Sequence, residues 1–450
     1  MRKVYYEIIF KTESAMNIGC GVNDNSDRDV LRDGAGHPFI PGSTMAGIYR
    51  SLFDASEDTK KYFGYVFINT KVAQSTDQAI ESKIKIYDAN PDGKYSIKKR
   101  DCVGLDEYRT AKKGAKFDFE VVEPGVQFET FIEQDIDEES LVDIGKIIVS
   151  KWKLNGLSFG SKTMRGLGRT SLVSVRRCEF DLNTASETDR WVDFDMYDQK
   201  DRNWVKFDDY EREISDENGL HFQNGKSVSI KLGLKQKNSS GISVRQYTTD
   251  VSDGEKTIPD YVQLTSQDEG VKKPVIPGTS WAGSFKHHME ELLTSVGIAK
   301  EKVTDETEIW FGTTSKRSSI GFSESIIKGA ESKVISRNAI DRFSGGTVDG
   351  ALYTEEYYYG GTTDLTISVP CGSNDDKLLR CLVASIFDLH FGLMAVGGLS
   401  SVGRGLFEIK EASIAGESVT IPNPESASEV FDKWVEKLVE KRREVSSNEQ

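Results

Sequence analysis

The chain has no run of about 18 apolar residues, the length a membrane helix needs. Its opening, MRKVYYEIIFKTES, alternates as a strand does and lacks the apolar centre of a signal peptide. No membrane association is expected, and the expected setting is the cytoplasm. Cysteine is scarce: Cys20, Cys102, Cys178, Cys371 and Cys381 stand far apart, with no C-x-x-C pair and no cysteine–histidine cluster at zinc spacing. A disulfide scaffold and a structural zinc are therefore not expected. Positive charge is also short, with 58 Lys+Arg against 72 Asp+Glu and a net charge of -14. That balance argues against a protein that coats nucleic acid non-specifically, because phosphate binding is dominated by lysine and arginine. The excess acid is expected on outer helices, such as one over residues 189–213, away from any binding groove. Only five histidines are present, and the adjacent His287 and His288 would point about 100° apart on a helix, which does not suit one shared site.

What is present is one pattern written twice. HPFIPGSTMAGIYR at 37–50 returns as KPVIPGTSWAGSFK at 273–286, with Gly42 and Gly278 separated by 236 positions. Leu105-Asp106 corresponds to Ile340-Asp341 at a shift of 235, and Gly166-Leu-Gly168 to Gly403-Arg-Gly405 at 237. At roughly 100 to 200 residues per domain, 450 residues accommodate two such copies. The boundary is placed in the polar stretch SDENGLHFQNGK, giving domains 1–215 and 216–450. Each copy opens on an alternating strand, over 4–10 and 227–234. Pro41-Gly42 and Pro277-Gly278 then form a turn, and Ser43 and Thr279 are expected to cap helices running to about Phe53 and Leu293. Later helices are expected near 138–152 and 375–393, the second from apolar residues at three-and-four spacing. Strand–helix–strand repeated within each copy is the ferredoxin-like order, so the fold expected is α+β, two tandem modified ferredoxin-like (RRM-type) domains.

Three elements together carry a resemblance. They are the I-P-G-[ST] turn leading into a helix with Ala-Gly, the central RNAIDRFSGGTVDGALYTEE (337–356), and the closing GGLSSVGRGLFEI (397–409). The first copy keeps IPGSTMAGIYR and GLSFGSKTMRGLGRTSL (156–172), but has GLDEYRTAKKGAKFDFE (104–120) at the centre. The set resembles the RAMP superfamily of CRISPR-associated proteins, and within it the backbone subunit of type III effector complexes. The resemblance implies two fused subunits of a type III-D-like system, each RAMP domain with a thumb hairpin insertion. It further implies that each copy holds CRISPR guide RNA beside other effector subunits and cuts complementary target RNA with an acidic loop.

The family's register before the turn places the catalytic aspartate at Asp27, with Asp24 as the alternative, and nominates Asp260 in the second copy. Carboxylates on such loops bind Mg²⁺ or another divalent cation, so Asp27 and Asp260 are also the expected metal ligands. For RNA binding, Lys162, Arg165, Arg169 and Arg404 lie in the glycine-rich turns, where backbone N–H groups can approach phosphate. Neither turn carries the G-K-[ST] of a P-loop. A basic island over 98–116 includes Lys112 and Lys113, and Arg342 and Phe343 stand in the corresponding element of the second copy. Ser43, Arg50 and Lys286 complete the candidates, on the first helix of each copy. Two alternatives stay open: a guide-RNA-binding scaffold without catalysis, and a histidine-based guide-processing endoribonuclease.

Overall fold

The computed structural model describes the chain apart from residues 22–24, 55, 67–78, 107, 138–141, 211–226, 238–239, 248–258, 269, 314, 373–374 and 448–450. It divides into two compact units. Unit 1 takes Met1–Lys98, Glu120–Ser161 and Gly168–Asn224; unit 2 takes Lys99–Phe119, Lys162–Leu167 and Gly225–Gln450.

In chain order the main elements begin with β1 (Arg2–Thr12), α1 (Gly42–Arg50), α2 (Glu57–Phe63) and β2 (Ile84–Ile86). A hairpin follows, β3 (Ile97–Leu105) and β4 (Ala111–Val122), whose outer part belongs to unit 2. Then come β5 (Gln127–Ile136), α3 (Ile144–Asn155), β6 (Arg169–Asp181) and α4 (Ala185–Val192). The second half contains β7 (Ser227–Gln236), β8 (Tyr261–Gln263), α5 (Gly278–Ser295), α6 (Lys300–Phe311) and β9 (Gly321–Phe322). It ends with the hairpin β10 (Glu331–Arg337) and β11 (Tyr353–Tyr359), then β12 (Thr362–Pro370), α7 (Asp376–Phe391), β13 (Phe407–Ile414) and α8 (Ala427–Ser447).

The sheet of unit 1 runs β6–β1–β5–β2 and that of unit 2 runs β9–β12–β7–β13, so in both the opening strand sits at the centre between antiparallel neighbours. Alternation in β1 decides which residues face the helices, where Val4, Tyr6, Ile8 and Phe10 are buried, while Lys3, Tyr5 and Glu7 are buried on the other face. Phe10 stacks on Phe128 and packs against Trp152 of α3, and burying a side chain of this size stabilises the unit by about 1.5–3 kcal/mol. Val228, Ile230, Leu232 and Leu234 do the same work in unit 2 beneath α5 and α7. In α7 the three-and-four spacing buries Leu378, Leu379, Leu382, Val383, Ile386 and Leu389 on one face. Gly392, left-handed at φ 84°, ends that helix.

The second faces of the two sheets differ. In unit 1, Tyr5, Phe131 and Phe180 are covered by Trp191, Phe194 and Trp204, and the Trp191 indole N–H donates to the Tyr5 hydroxyl at 2.9 Å. In unit 2 the corresponding face of β7 presents Ser229, Lys231 and Lys235, none of them buried.

Three local expectations are corrected. The first helix of each copy begins at its glycine, and the residue before it, Pro41 or Pro277, is the cap, with Ser43 and Thr279 exposed in the first turn. Proline already fixes φ near −60°, and its carbonyl accepts from Thr44 and Met45, or from Ser280 and Trp281. The orphan N–H of Gly42 donates to Asp88 Oδ1 at 2.7 Å, a partner 46 residues away. The first helix also stops at Arg50, short of Phe53. Finally, the helix expected over 189–213 ends at Val192. Asp195, Asp198 and Asp201 each accept the N–H two residues on, making successive turns that compete with a helix. Among the described residues, no helix is long and apolar enough to cross a membrane.

Candidate nucleic-acid interface

The acidic loop of unit 1 is held by its buried acid. Asp29 accepts the backbone N–H of Ser26 at 2.8 Å and of Asn25 at 3.0 Å, and the Ser26 hydroxyl at 2.6 Å. From the other side, buried Glu120 accepts the Val30 N–H at 3.0 Å and pairs with Arg32 at 2.9 Å. These bonds leave Asp27 exposed at the turn. Asp24 lies outside the described residues. At the end of the loop, the N–H groups of His37 and Ala35 hold the Asp33 carboxyl below its ordinary range.

Asp260 of unit 2 is exposed, and its carboxylate accepts both the N–H and the hydroxyl of Thr354, at 2.7 and 3.1 Å. Among the described residues, no three His, Cys, Asp or Glu side chains converge on a point that would hold a metal. Mg²⁺ commonly takes one or two carboxylates and completes its shell with water and phosphate oxygens. Asp27 and Asp260 are both exposed single carboxylates of the kind such an ion takes, and that of Asp260 also holds Thr354.

The tips of the two hairpins are built alike. Asp106 accepts the N–H groups of Tyr108 and Thr110, and Asp341 those of Phe343 and Ser344. These donors hold both acids below their usual range, the Thr110 hydroxyl leading for Asp106 and the Ser344 N–H for Asp341. Two residues past each aspartate stands an aromatic ring in solvent: Tyr108 is 78% exposed and Phe343 100%. Arg342 is exposed beside Phe343.

Most of the basic island is engaged. Lys98 pairs with Glu123, Lys99 with Asp118, Arg100 with Glu324 and Lys116 with Asp101, while Arg109 donates to the Ser400 hydroxyl. Lys112 and Lys113 are exposed and form no ion pair among the described residues.

In both glycine-rich turns the backbone geometry repeats. Lys162 and Leu399 are left-handed at φ 57°, and a Cβ on Gly168 or Gly405 would fall 1.8 Å from the carbonyl oxygen of Phe159 or Val396. The cations in the turns have distinct positions. The Lys162 ammonium lies 3.7 Å from the centre of the Phe119 ring, and Arg165 donates to the carbonyls of Ile320 and Phe311. Arg169 is exposed. Arg404 lies over Tyr357 and Tyr359, at 4.7 and 5.4 Å from the ring centres, and donates to the Tyr359 hydroxyl at 2.8 Å.

On the first helices, Arg50 donates to the Gly64 carbonyl at 3.4 Å and Lys286 pairs with Glu290 at 3.7 Å. The two adjacent histidines share Glu291, at 3.0 Å from His287 and 3.4 Å from His288, and His288 also pairs with Asp388 at 2.7 Å.

Several residues that complete these arrangements were not among the candidates, although Arg337 and Glu355 lie within the central motif. Lys333 and Arg337 of β10 approach the rings of Tyr359 and Tyr357, each at 5.6 Å, extending the alternation of cations and rings around Arg404. Glu355 is buried; burial alone would raise its carboxyl, but donation from Arg245 and Tyr357 outweighs this and the net shift is downward. A period-two count along 353–359 would have placed Glu355, Tyr357 and Tyr359 on one face, yet nothing in it indicates Arg245 as the partner.

Residues 9–171 and 249–408 match the family model described as the RAMP superfamily. A search of curated proteins finds no match.

Proposed function

The chain belongs to the RAMP superfamily, and from that premise we propose that it is a backbone subunit of a type III CRISPR ribonucleoprotein, which holds guide RNA and cuts complementary target RNA. The observation that carries RNA binding is the paired hairpin tips. Exposed aromatic rings cost solvation unless something stacks on them, and single-stranded RNA offers base faces that do so at about 1–3 kcal/mol per base. Tyr108 with exposed Lys112 and Lys113 in the same hairpin, and Phe343 beside Arg342, combine a ring with a cation for phosphate. On this reading the two hairpins are the thumbs of two ferredoxin-like domains, and the -14 charge is compatible because the basic groups are local.

Cleavage is assigned to the loop of unit 1. Asp27 would hold a divalent cation together with phosphate oxygens of the RNA, and such a cation, when bound, neutralises charge that develops at the scissile phosphate. Asp29 and Glu120 fix the backbone on either side of Asp27, so that the loop carrying it is held in place before substrate arrives. A second reading applies to the other copy. The Asp260 carboxylate is taken up by Thr354, which favours a structural acid in a copy that binds RNA without cutting it.

The test is cleavage of labelled complementary RNA by the particle purified with its guide, with Mg²⁺ or with chelator. Asp27→Ala should remove a product band that chelator also removes, with guide binding retained. Cutting that persists in Asp27→Ala and in EDTA would refute the assignment and favour a histidine mechanism.

A further inference from the structure

The acidic loop of unit 1 contains two arginines, and the fold uses them differently. Arg32 is structural: its guanidinium pairs with buried Glu120 at 2.9 Å and donates to the Val30 carbonyl at 3.3 Å. Arg28 is exposed, and its guanidinium has no ion pair or hydrogen bond among the described residues, although acids stand at 27, 29 and 33 of the same loop.

The main chain that carries Arg28 is held on both sides. Its N–H donates to the Ser26 hydroxyl at 3.2 Å, and that hydroxyl donates in turn to buried Asp29 at 2.6 Å. Its carbonyl accepts the Glu120 N–H at 3.0 Å. Both backbone groups are thus engaged inside the unit, and the side chain is the part that meets solvent. Asp27, the acid to which cutting is assigned, is the preceding residue, so the two Cα atoms are about 3.8 Å apart on one braced turn.

Unit 2 is built differently after its own acid. Asp260 is followed by Tyr261, whose ring centre lies 4.8 Å from the Arg245 guanidinium and 6.1 Å from that of Tyr353. Arg245 is itself bound through two nitrogens to buried Glu355, at 2.6 and 2.9 Å. A packed ring therefore follows Asp260, where a free guanidinium follows Asp27.

The chemistry of cutting asks for such a group. A hydroxyl attacks the phosphorus and the bond to the 5′ oxygen breaks; the attacking oxygen loses its proton, the departing oxygen gains one from solvent, and nothing is oxidised or reduced. Negative charge grows meanwhile on the two non-bridging oxygens, beside exposed Asp27 and Asp33, which repel it. A guanidinium presents two parallel N–H groups that match two phosphate oxygens, which an ammonium cannot do. We infer that Arg28 is a catalytic residue of the unit 1 loop, whose guanidinium binds the non-bridging oxygens of the scissile phosphate. The inference rests on the assignment of cutting to Asp27.

The experiment follows single-turnover cleavage of labelled complementary RNA by the particle purified with its guide, comparing wild type with Asp27→Ala, Arg28→Ala and Arg28→Lys. Arg28→Ala should slow cutting about a hundredfold or more, with guide content and Mg²⁺ requirement unchanged. Arg28→Lys, which keeps the charge without the fork, should recover only part of that loss. Sulfur in place of one non-bridging oxygen of the scissile phosphate should slow the wild type, and this effect should shrink in Arg28→Ala because the contact it disturbs is already gone. In chelator, where nothing is cut, Arg28→Ala should lower the slope of log target affinity against log salt by about 0.7. Wild-type cutting in Arg28→Ala while Asp27→Ala is inactive would overturn this inference alone. So would a slowed Arg28→Ala that keeps the full sulfur effect and the wild-type salt slope. Cutting that survives Asp27→Ala would overturn the assignment to the loop, and the inference with it.

Discussion

Arg100 and Glu324 are 224 residues apart in sequence and form a bidentate ion pair within unit 2, at 2.5 and 3.1 Å, with both side chains almost fully buried. Removing one member of such a pair leaves an uncompensated buried charge, which costs about 3–5 kcal/mol, whereas replacing both with apolar groups is often nearly neutral. Glu324→Ala should therefore lower the stability of unit 2 by about that amount in denaturant titration. The double replacement Arg100→Met with Glu324→Leu should recover most of it. Equal losses in the single and double variants would show that the pair does not organise this part of the unit.

Asp29 tests how the acidic loop is held. Its carboxylate takes two backbone N–H groups, and hydrogen bonds to a charged group contribute about 1.5–3 kcal/mol each. In Asp29→Ala the amides of Asn25 and Ser26 should exchange with solvent at least about tenfold faster, and target cleavage should fall while guide binding stays. Unchanged exchange at these amides would contradict the bracing role.

Lys112, Lys113, Tyr108 and Phe343 separate the charge and stacking parts of RNA affinity. Removing a cation that neutralises one phosphate of a single strand lowers the slope of log affinity against log salt by about 0.7, so Lys112→Ala with Lys113→Ala should reduce it by about 1.4. Tyr108→Ala and Phe343→Ala should instead leave the slope alone and weaken binding by about 1–3 kcal/mol each. A titration series at several salt concentrations distinguishes the two patterns.

Acid should loosen the end of unit 2. Lys437 and Lys441 hold the Glu417 carboxyl down to about 2, through ion pairs at 2.7 and 2.8 Å. A carboxylate depressed in the folded state contributes stability above its unfolded value, near 4.3, and loses it as pH falls toward about 2. The difference in melting temperature between the wild type and Glu417→Gln should be greatest above pH 5 and should close as pH approaches 2.

Parts of this structure were legible in the sequence because backbone geometry restricts which residues are possible. Gly168 and Gly405 approach carbonyl oxygens too closely for any Cβ, and Pro41 and Pro277 mark helix starts, so the duplicated turns stood out. The alternation in β1 and β7 showed which side chains face the core. What could not be read depends on long-range partners. Nothing near Gly42 indicates that Asp88 takes its N–H, so Ser43 looked like the cap. The acids after Val192 looked helical until each was seen to hold its own turn. Among the site candidates, the resemblance nominates Asp27 by register and Phe343 by motif. The supports of the site, Asp29 with its two amides and Arg245 with Glu355, follow only from folding.

The central claim is that the two hairpin tips meet RNA. Ultraviolet cross-linking of the particle purified with its own guide, followed by mass spectrometry of nucleotide-bearing peptides, tests it most directly. The account predicts adducts on the peptides that contain Tyr108 and Phe343, reduced by Tyr108→Ala and Phe343→Ala respectively. Abundant adducts elsewhere on the chain with none at either tip would contradict it.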